Sequence, residues 1–146
     1  MIFSIEKVEN VWNDLLPNLY IYFLETEMHR QGKFKPSLER YKQYQDIGAF
    51  VLFTARANHK LVGHCGMYIT PSMYTDELIA VEDGFFVLKG YRQENTPLQA
   101  YRYIERELRK KGVRQISITT HLNIERLMAK LGYKKFGSRF NKYLEN

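Results

Sequence analysis

The chain has 146 residues, 45% hydrophobic and 14% aromatic, with a formal net charge of +6. This length suits one domain, residues 1–146, able to bury about two thirds of its unfolded surface, and the composition excludes a disordered chain. No apolar run nears the roughly 20 residues of a membrane span, and the N-terminus lacks the basic, apolar, small-residue pattern of a secretory signal, so a soluble cytoplasmic protein with no membrane partner is expected.

A single cysteine, Cys65, excludes an internal disulfide framework and a cysteine-based zinc cluster. No pair of His or acidic residues has metal-ligand spacing, so no metal is expected. Charge is unevenly placed. From Lys89 onward there are 14 Lys/Arg against 5 Asp/Glu, whereas residues 1–88 hold 8 against 11. The basic half suits a polyphosphate ligand or a nucleic-acid surface, and equally a solvated helix face carrying Arg102, Arg106, Arg109 and Lys110.

In chain order, residues 1–8 read as an edge strand with Phe3 and Ile5 alternating against Ile2, Ser4 and Glu6. From Val11 to Leu24 apolar residues recur at helical spacing, and Pro17 predicts a kink or restart. Residues 28–35 are polar and basic and read as a mobile loop, followed by a short helix over 37–44. A continuous apolar strand over 49–57, a tight turn at Asn58-His59 and a partner strand over 60–70 form a hairpin. In that partner Leu61, Gly63, Cys65, Met67 and Ile69 are expected on one face, and Val62, His64, Gly66 and Tyr68 on the other. After a loop at 71–76, residues 77–88 are long for a strand, and Gly84 within them suggests a bulge.

The chain is organised around what comes next. Phe85 to Leu88 is an unbroken apolar run between Gly84 and Gly90; a polar turn follows, then Thr96 as a cap, Pro97 at the first helical position and a helix to Lys111. A helix start after a polar turn is an anion site, with phosphate the usual guest. A strand over 113–119, a short helix over 122–131 closed by Gly132, and a hairpin over 136–144 complete a mixed sheet of six to seven strands with about four helices on both sides.

This α/β order resembles the GNAT N-acetyltransferase superfamily over nearly the whole chain. The resemblance rests on Tyr91-Arg92 in the turn after the apolar strand, the long helix, and Lys130-Leu131-Gly132-Tyr133. Asp83, Val87 and Arg126-Leu127 extend it toward family members found in phages. In the family the turn reads Arg/Gln-x-x-Gly-x-Gly/Ala and holds the pyrophosphate of acetyl-CoA. Here Arg92 occupies the first position, and Asn95 and Pro97 replace the two small residues.

The resemblance implies acetyl transfer from acetyl-CoA, as co-substrate, to a primary amine of a small-molecule or protein acceptor. It implies a cradle of Arg92, Gln93, Glu94, Asn95, Thr96 and Leu98, and oxyanion donors on the backbone of Phe86, Val87 and Leu88. Glu82 or Asp83 is the implied base, and only one of them can point into the cleft, because consecutive strand residues face opposite ways. The thiolate acid that many members carry as a tyrosine falls on Met128; His121 is the alternative donor. An acceptor site is expected between the first two helices and the 70–76 loop, with Tyr20, Tyr22, Tyr41, Tyr44 and Tyr74 as possible lining. A contrasting reading keeps the fold as a non-catalytic binding or assembly module, phage-derived, whose basic half contacts nucleic acid or a protein.

Overall fold

The computed structural model describes residues 1–120 and 124–144. Five strands form one sheet in chain order: β1 (Ile2–Ile5), β2 (Phe50–Ala57), β3 (Lys60–Pro71), β4 (Leu78–Val87) and β5 (Val113–Ser117). The first three pairings are antiparallel and β4 with β5 is parallel. The expected mixed α/β sheet is present, with five strands among the described residues instead of six to seven.

Both faces of the sheet are covered, which is why β2 reads as a continuous apolar run rather than an alternating one. On one face lie α1 (Val8–Glu25) and α2 (Leu38–Asp46), closing a core of Val8, Val11, Leu15, Phe50, Leu52 and Leu61. On the other lie α3 (Thr96–Lys110) and α4 (Glu125–Lys130), over Val51, Phe53, Cys65, Met67, Ala80, Tyr101, Ile104 and Leu108. Among the described residues, no helix is long and apolar enough to cross a membrane.

Of the two expectations for Pro17, a kink or a restart, the restart does not occur: α1 continues through Pro17. A proline inside a helix costs about 3 kcal/mol, and packing of Val11 and Leu15 on the sheet offsets it. Asn18 adds a buried anchor, its Nδ2 donating to the Leu61 carbonyl at 3.1 Å. The α1 start has no cap from its own chain segment; Gln45 of α2 accepts from the Val8 N–H at 2.9 Å instead. The stretch expected as a mobile loop is tied down by Phe34, whose ring packs on Tyr20 and Phe23 at 5.1 and 5.3 Å.

Two β-bulges set the side-chain directions. In β3, Ala55 opposes Gly63 and Arg56 opposes Leu61, leaving Val62 as an extra residue. The extra residue turns Leu61 onto the α1 face, away from Cys65, Met67 and Ile69 with which simple alternation had grouped it. In β4, Gly84 opposes Gly66 and Glu82 opposes Met67, so Asp83 is the extra residue of the bulge that Gly84 signalled.

The hairpin expected over 136–144 is absent: the described residues beyond Gly132 form no strand. A two-stranded ribbon is marginal unless one face packs on something, and here Phe136 and Phe140 are fully exposed.

Candidate active site

The site begins where strand pairing stops. β5 pairs with β4 from Leu78–Val113 to Val81–Ser117, whereas β4 runs on to Val87. From Glu82 onward, one edge of β4 therefore has no strand partner among the described residues, and of its outward backbone groups the Val87 carbonyl is taken by the Arg92 side chain. The three residues expected as oxyanion donors are not equivalent. The Leu88 N–H is spent on the Val62 carbonyl at 2.8 Å, so alternation along the strand sends the Phe86 N–H the same way and the Val87 N–H to the open edge.

The bulge separates the two acidic candidates. Glu82 faces α3, where the Tyr101 hydroxyl donates to its Oε2 at 2.7 Å. Burial pushes the Glu82 carboxyl up, the Tyr101 hydrogen bond pulls it back and the neighbouring Asp83 charge raises it, for a net value of about 7. Asp83 faces the opposite side and lines a cavity between α1, α2 and the sheet. Its carboxyl is reachable by solvent yet raised by the apolar wall around it, with the Tyr68 hydroxyl acting in the opposite sense.

That cavity has a volume of about 220 Å³ and is walled by Leu19, Tyr22, Phe23, Phe34, Tyr41 and Phe50. Gly84 is needed here: a Cβ at this position would sit 2.8 Å from the Tyr22 ring. His64 also lines the cavity, between the rings of Tyr22 and Phe86, and its Nδ1 is buried with no hydrogen-bond partner. Burial pushes its pKa down to about 4, so the ring is neutral at pH 7. Cys65 lies on the α3 face with a thiol raised by burial, so no Cys–His pair forms.

Of the tyrosines suggested for the acceptor, Tyr22 and Tyr41 line the cavity. Tyr44 packs on Tyr68 outside it, Tyr20 covers Phe34, and Tyr74 is 96% exposed in a loop that does not reach it.

The turn before α3 is partly self-satisfied. The N–H groups of Arg92, Gln93 and Thr96 bond to the carbonyls of Lys89, Tyr91 and Gln93. Those of Glu94, Asn95 and Leu98 have no backbone acceptor among the described residues, and Pro97 has none to offer. Asn95 rather than Thr96 holds the cap position, and the Thr96 hydroxyl is turned back to the Tyr91 carbonyl at 3.4 Å. Arg92 is engaged twice. Its Nε donates to the Val87 carbonyl at 2.6 Å, and its Nη2 holds the Glu25 carboxylate of α1 at 2.7 Å.

Met128 packs on the α3-side core, and His121 lies outside the described residues. Four participants escaped the sequence reading: Tyr101 on Glu82, Tyr68 beside Asp83, His64 in the cavity and Glu25 on Arg92. Tyr101 sits at helical spacing with Leu98, Ile104 and Leu108, which reads simply as core. The other three depend on contacts between distant segments, for which no local signal exists. Among the described residues, no group of three potential metal ligands gathers.

The family model described as the acetyltransferase (GNAT) family matches residues 11–133. A search of curated proteins finds no match. Among solved structures, the chain is similar to an aminoglycoside acetyltransferase from an uncultured soil metagenomic sample, solved with sisomicin. The TM-score is 0.75 at 15% identity, over 98% of this chain and 97% of that one. It is also similar to a ribosomal-protein-alanine N-acetyltransferase from Brucella melitensis biovar Abortus 2308, with TM-score 0.68 at 13% identity over 96% and 100% of the two chains. A GNAT family acetyltransferase of Staphylococcus aureus gives 0.73 at 13%, over 98% of both. At such identities these neighbours speak for the fold, while the family match covers most of the chain: this protein belongs to the GNAT acetyltransferase family.

Proposed function

We propose that the protein is an acetyl-CoA-dependent N-acetyltransferase acting on a primary amine. The observation that carries this reading is the β4 bulge. It places the Asp83 carboxylate on the wall of an apolar cavity, beside a β4 edge that no strand covers among the described residues. The residues present fit the coenzyme: the open edge of β4 suits an extended amide-bearing arm, and the free N–H groups of Glu94, Asn95 and Leu98 suit its phosphates. When bound, the coenzyme supplies an acetyl group activated as a thioester.

Asp83 is the base in this reading. A lysine-like amine, with a pKa of about 10.4, is mostly protonated at neutral pH and must lose a proton before it can attack. Asp83 takes that proton. With the thioester bound, the freed amine would attack the acetyl carbon and the carbon–sulfur bond would break with its electrons on sulfur. The surplus proton on nitrogen would pass to that sulfur by way of His121, the donor assigned to the thiolate, and Asp83 would return its own proton to solvent. The Val87 N–H is the donor for the developing oxyanion. Glu82, held under α3 by Tyr101, is a positioning residue. Arg92 reaches phosphate only by releasing Glu25.

A second reading, a binding module for nucleic acid or protein, is favoured by that same Arg92–Glu25 pair, because the guanidinium expected for phosphate already holds a carboxylate. Calorimetric titration with acetyl-CoA, with adenosine 3′,5′-bisphosphate as the charge control, decides between them. Saturable micromolar binding that needs the pantetheine arm supports the enzyme. No binding at millimolar coenzyme overturns it and turns attention to macromolecular partners.

A further inference from the structure

We propose that the acceptor is a monocationic primary amine carried on an apolar body of about one aromatic ring, and that the cavity rim selects against polycations. The inference takes from the reading above only the identification of this cavity as the acceptor site.

Size comes first. A cavity of about 150 Å³ lined by apolar side chains accommodates benzene, so about 220 Å³ leaves room for a ring and a short arm. Phe23 and Phe50 offer that ring faces and edges, and Tyr22 offers a ring and one hydroxyl. Charge narrows the choice further. Among the described residues Asp83 is the lone carboxylate in the lining, and His64 is neutral, so one ammonium group finds one anionic partner.

A second ammonium group meets the opposite field. Lys33 and Lys35 line the same cavity at its exposed side, and neither forms an ion pair with a described residue. Arg40 near Tyr68 and Arg139 near Tyr22 add charge of the same sign. Residues 1–88 carry an acidic excess overall, whereas around this cavity the balance is reversed.

The test is equilibrium binding of 2-phenylethylamine, spermidine and kanamycin to the full chain at low salt, with and without acetyl-CoA. Calorimetry is the main readout, and emission of Trp12, which packs on the cavity residue Tyr41 at 5.9 Å, is the second. Phenylethylamine is expected to bind at least about tenfold more tightly than either polycation. The double variant Lys33→Glu/Lys35→Glu is expected to narrow the gap about fivefold by strengthening the binding of both polycations more than that of phenylethylamine. Equal or tighter binding of spermidine or kanamycin, or no phenylethylamine binding under either condition, overturns the proposal. Phenylethylamine binding without any coenzyme binding would leave the cavity's preference for this amine standing while sinking the acetyltransferase reading and, with it, the amine's role as acceptor.

Discussion

The two bulges use one backbone device for opposite ends. In β3 the extra residue is Val62, with 0% of its surface exposed, and the bulge repacks the core by sending Leu61 to the α1 face. In β4 the extra residue is Asp83, and the bulge delivers a solvent-reachable carboxylate to a cavity. Apolar packing suffices to hold the first. The second keeps an ionisable group in an unfavourable place, where its pKa rises, and proteins retain such groups chiefly at working sites. The same insertion is therefore structural or chemical according to the side chain it carries and the space in front of it.

The sharpest way to break this contrast is Asp83→Asn. We expect the rate of thiol release from acetyl-CoA to fall by about 100-fold or more, with coenzyme affinity nearly unchanged. Wild-type rates in both Asp83→Asn and Glu82→Gln would remove the base from this bulge.

Glycine substitutions next to each bulge should differ in kind. At Gly63 a Cβ would meet the Phe86 carbonyl oxygen at 2.9 Å, a backbone atom that cannot step aside, so Gly63→Ala should cost about 1–3 kcal/mol in denaturant unfolding. At Gly84 the obstacle is the Tyr22 ring, which can swing into the cavity. Gly84→Ala should therefore cost less stability but lose acceptor binding; the reverse order of stabilities would contradict the structure.

Glu82 gives a pH signature. Its folded-state pKa of about 7 lies above the ordinary 4.5, so the native protein binds the extra proton between these values. Its stabilising contribution is full below pH 4.5 and is lost as pH rises through 7. A rise from 4.5 to about 7 corresponds to roughly 3 kcal/mol. Glu82→Gln should flatten the stability curve between pH 5 and 8, and an unaltered curve would mean that the carboxyl is better hydrated than its position indicates.

The smallest expected effect concerns the Arg92–Glu25 pair, which is half exposed and worth less than about 1 kcal/mol to folding. Glu25→Gln should leave the melting temperature nearly unchanged while tightening acetyl-CoA binding by freeing the guanidinium, and Arg92→Glu should weaken it. Unchanged affinity in both variants would take Arg92 out of the phosphate site.

Much of this was legible in the chain. The hairpin turn at Asn58-His59 is where the sequence places it, with both residues at positive φ as a two-residue connection demands. Ser37 caps α2, its hydroxyl oxygen accepting from the Arg40 N–H. Gly84 flagged the β4 bulge, and alternation required that Glu82 and Asp83 part company. The bulged residue, however, was not legible, because register depends on which residues of β3 lie opposite. The terminal hairpin over 136–144 failed for a related reason: alternation describes a strand's faces, but a strand forms only where an edge and a packing surface receive it.

By itself the sequence determined the order of elements as far as α4, the family, and the stretch from Asp83 to Leu98 as the focus, because periodicity, turn residues and helix ends are local matters of backbone and side-chain preference. Only the tertiary structure decided that Asp83 rather than Glu82 meets the cavity, that Arg92 holds Glu25, and that Lys33 and Lys35 set the charge of the rim. Each of these depends on long-range contacts, where one extra residue in a strand, or one carboxylate on a distant helix, redirects a side chain that its own neighbours leave free.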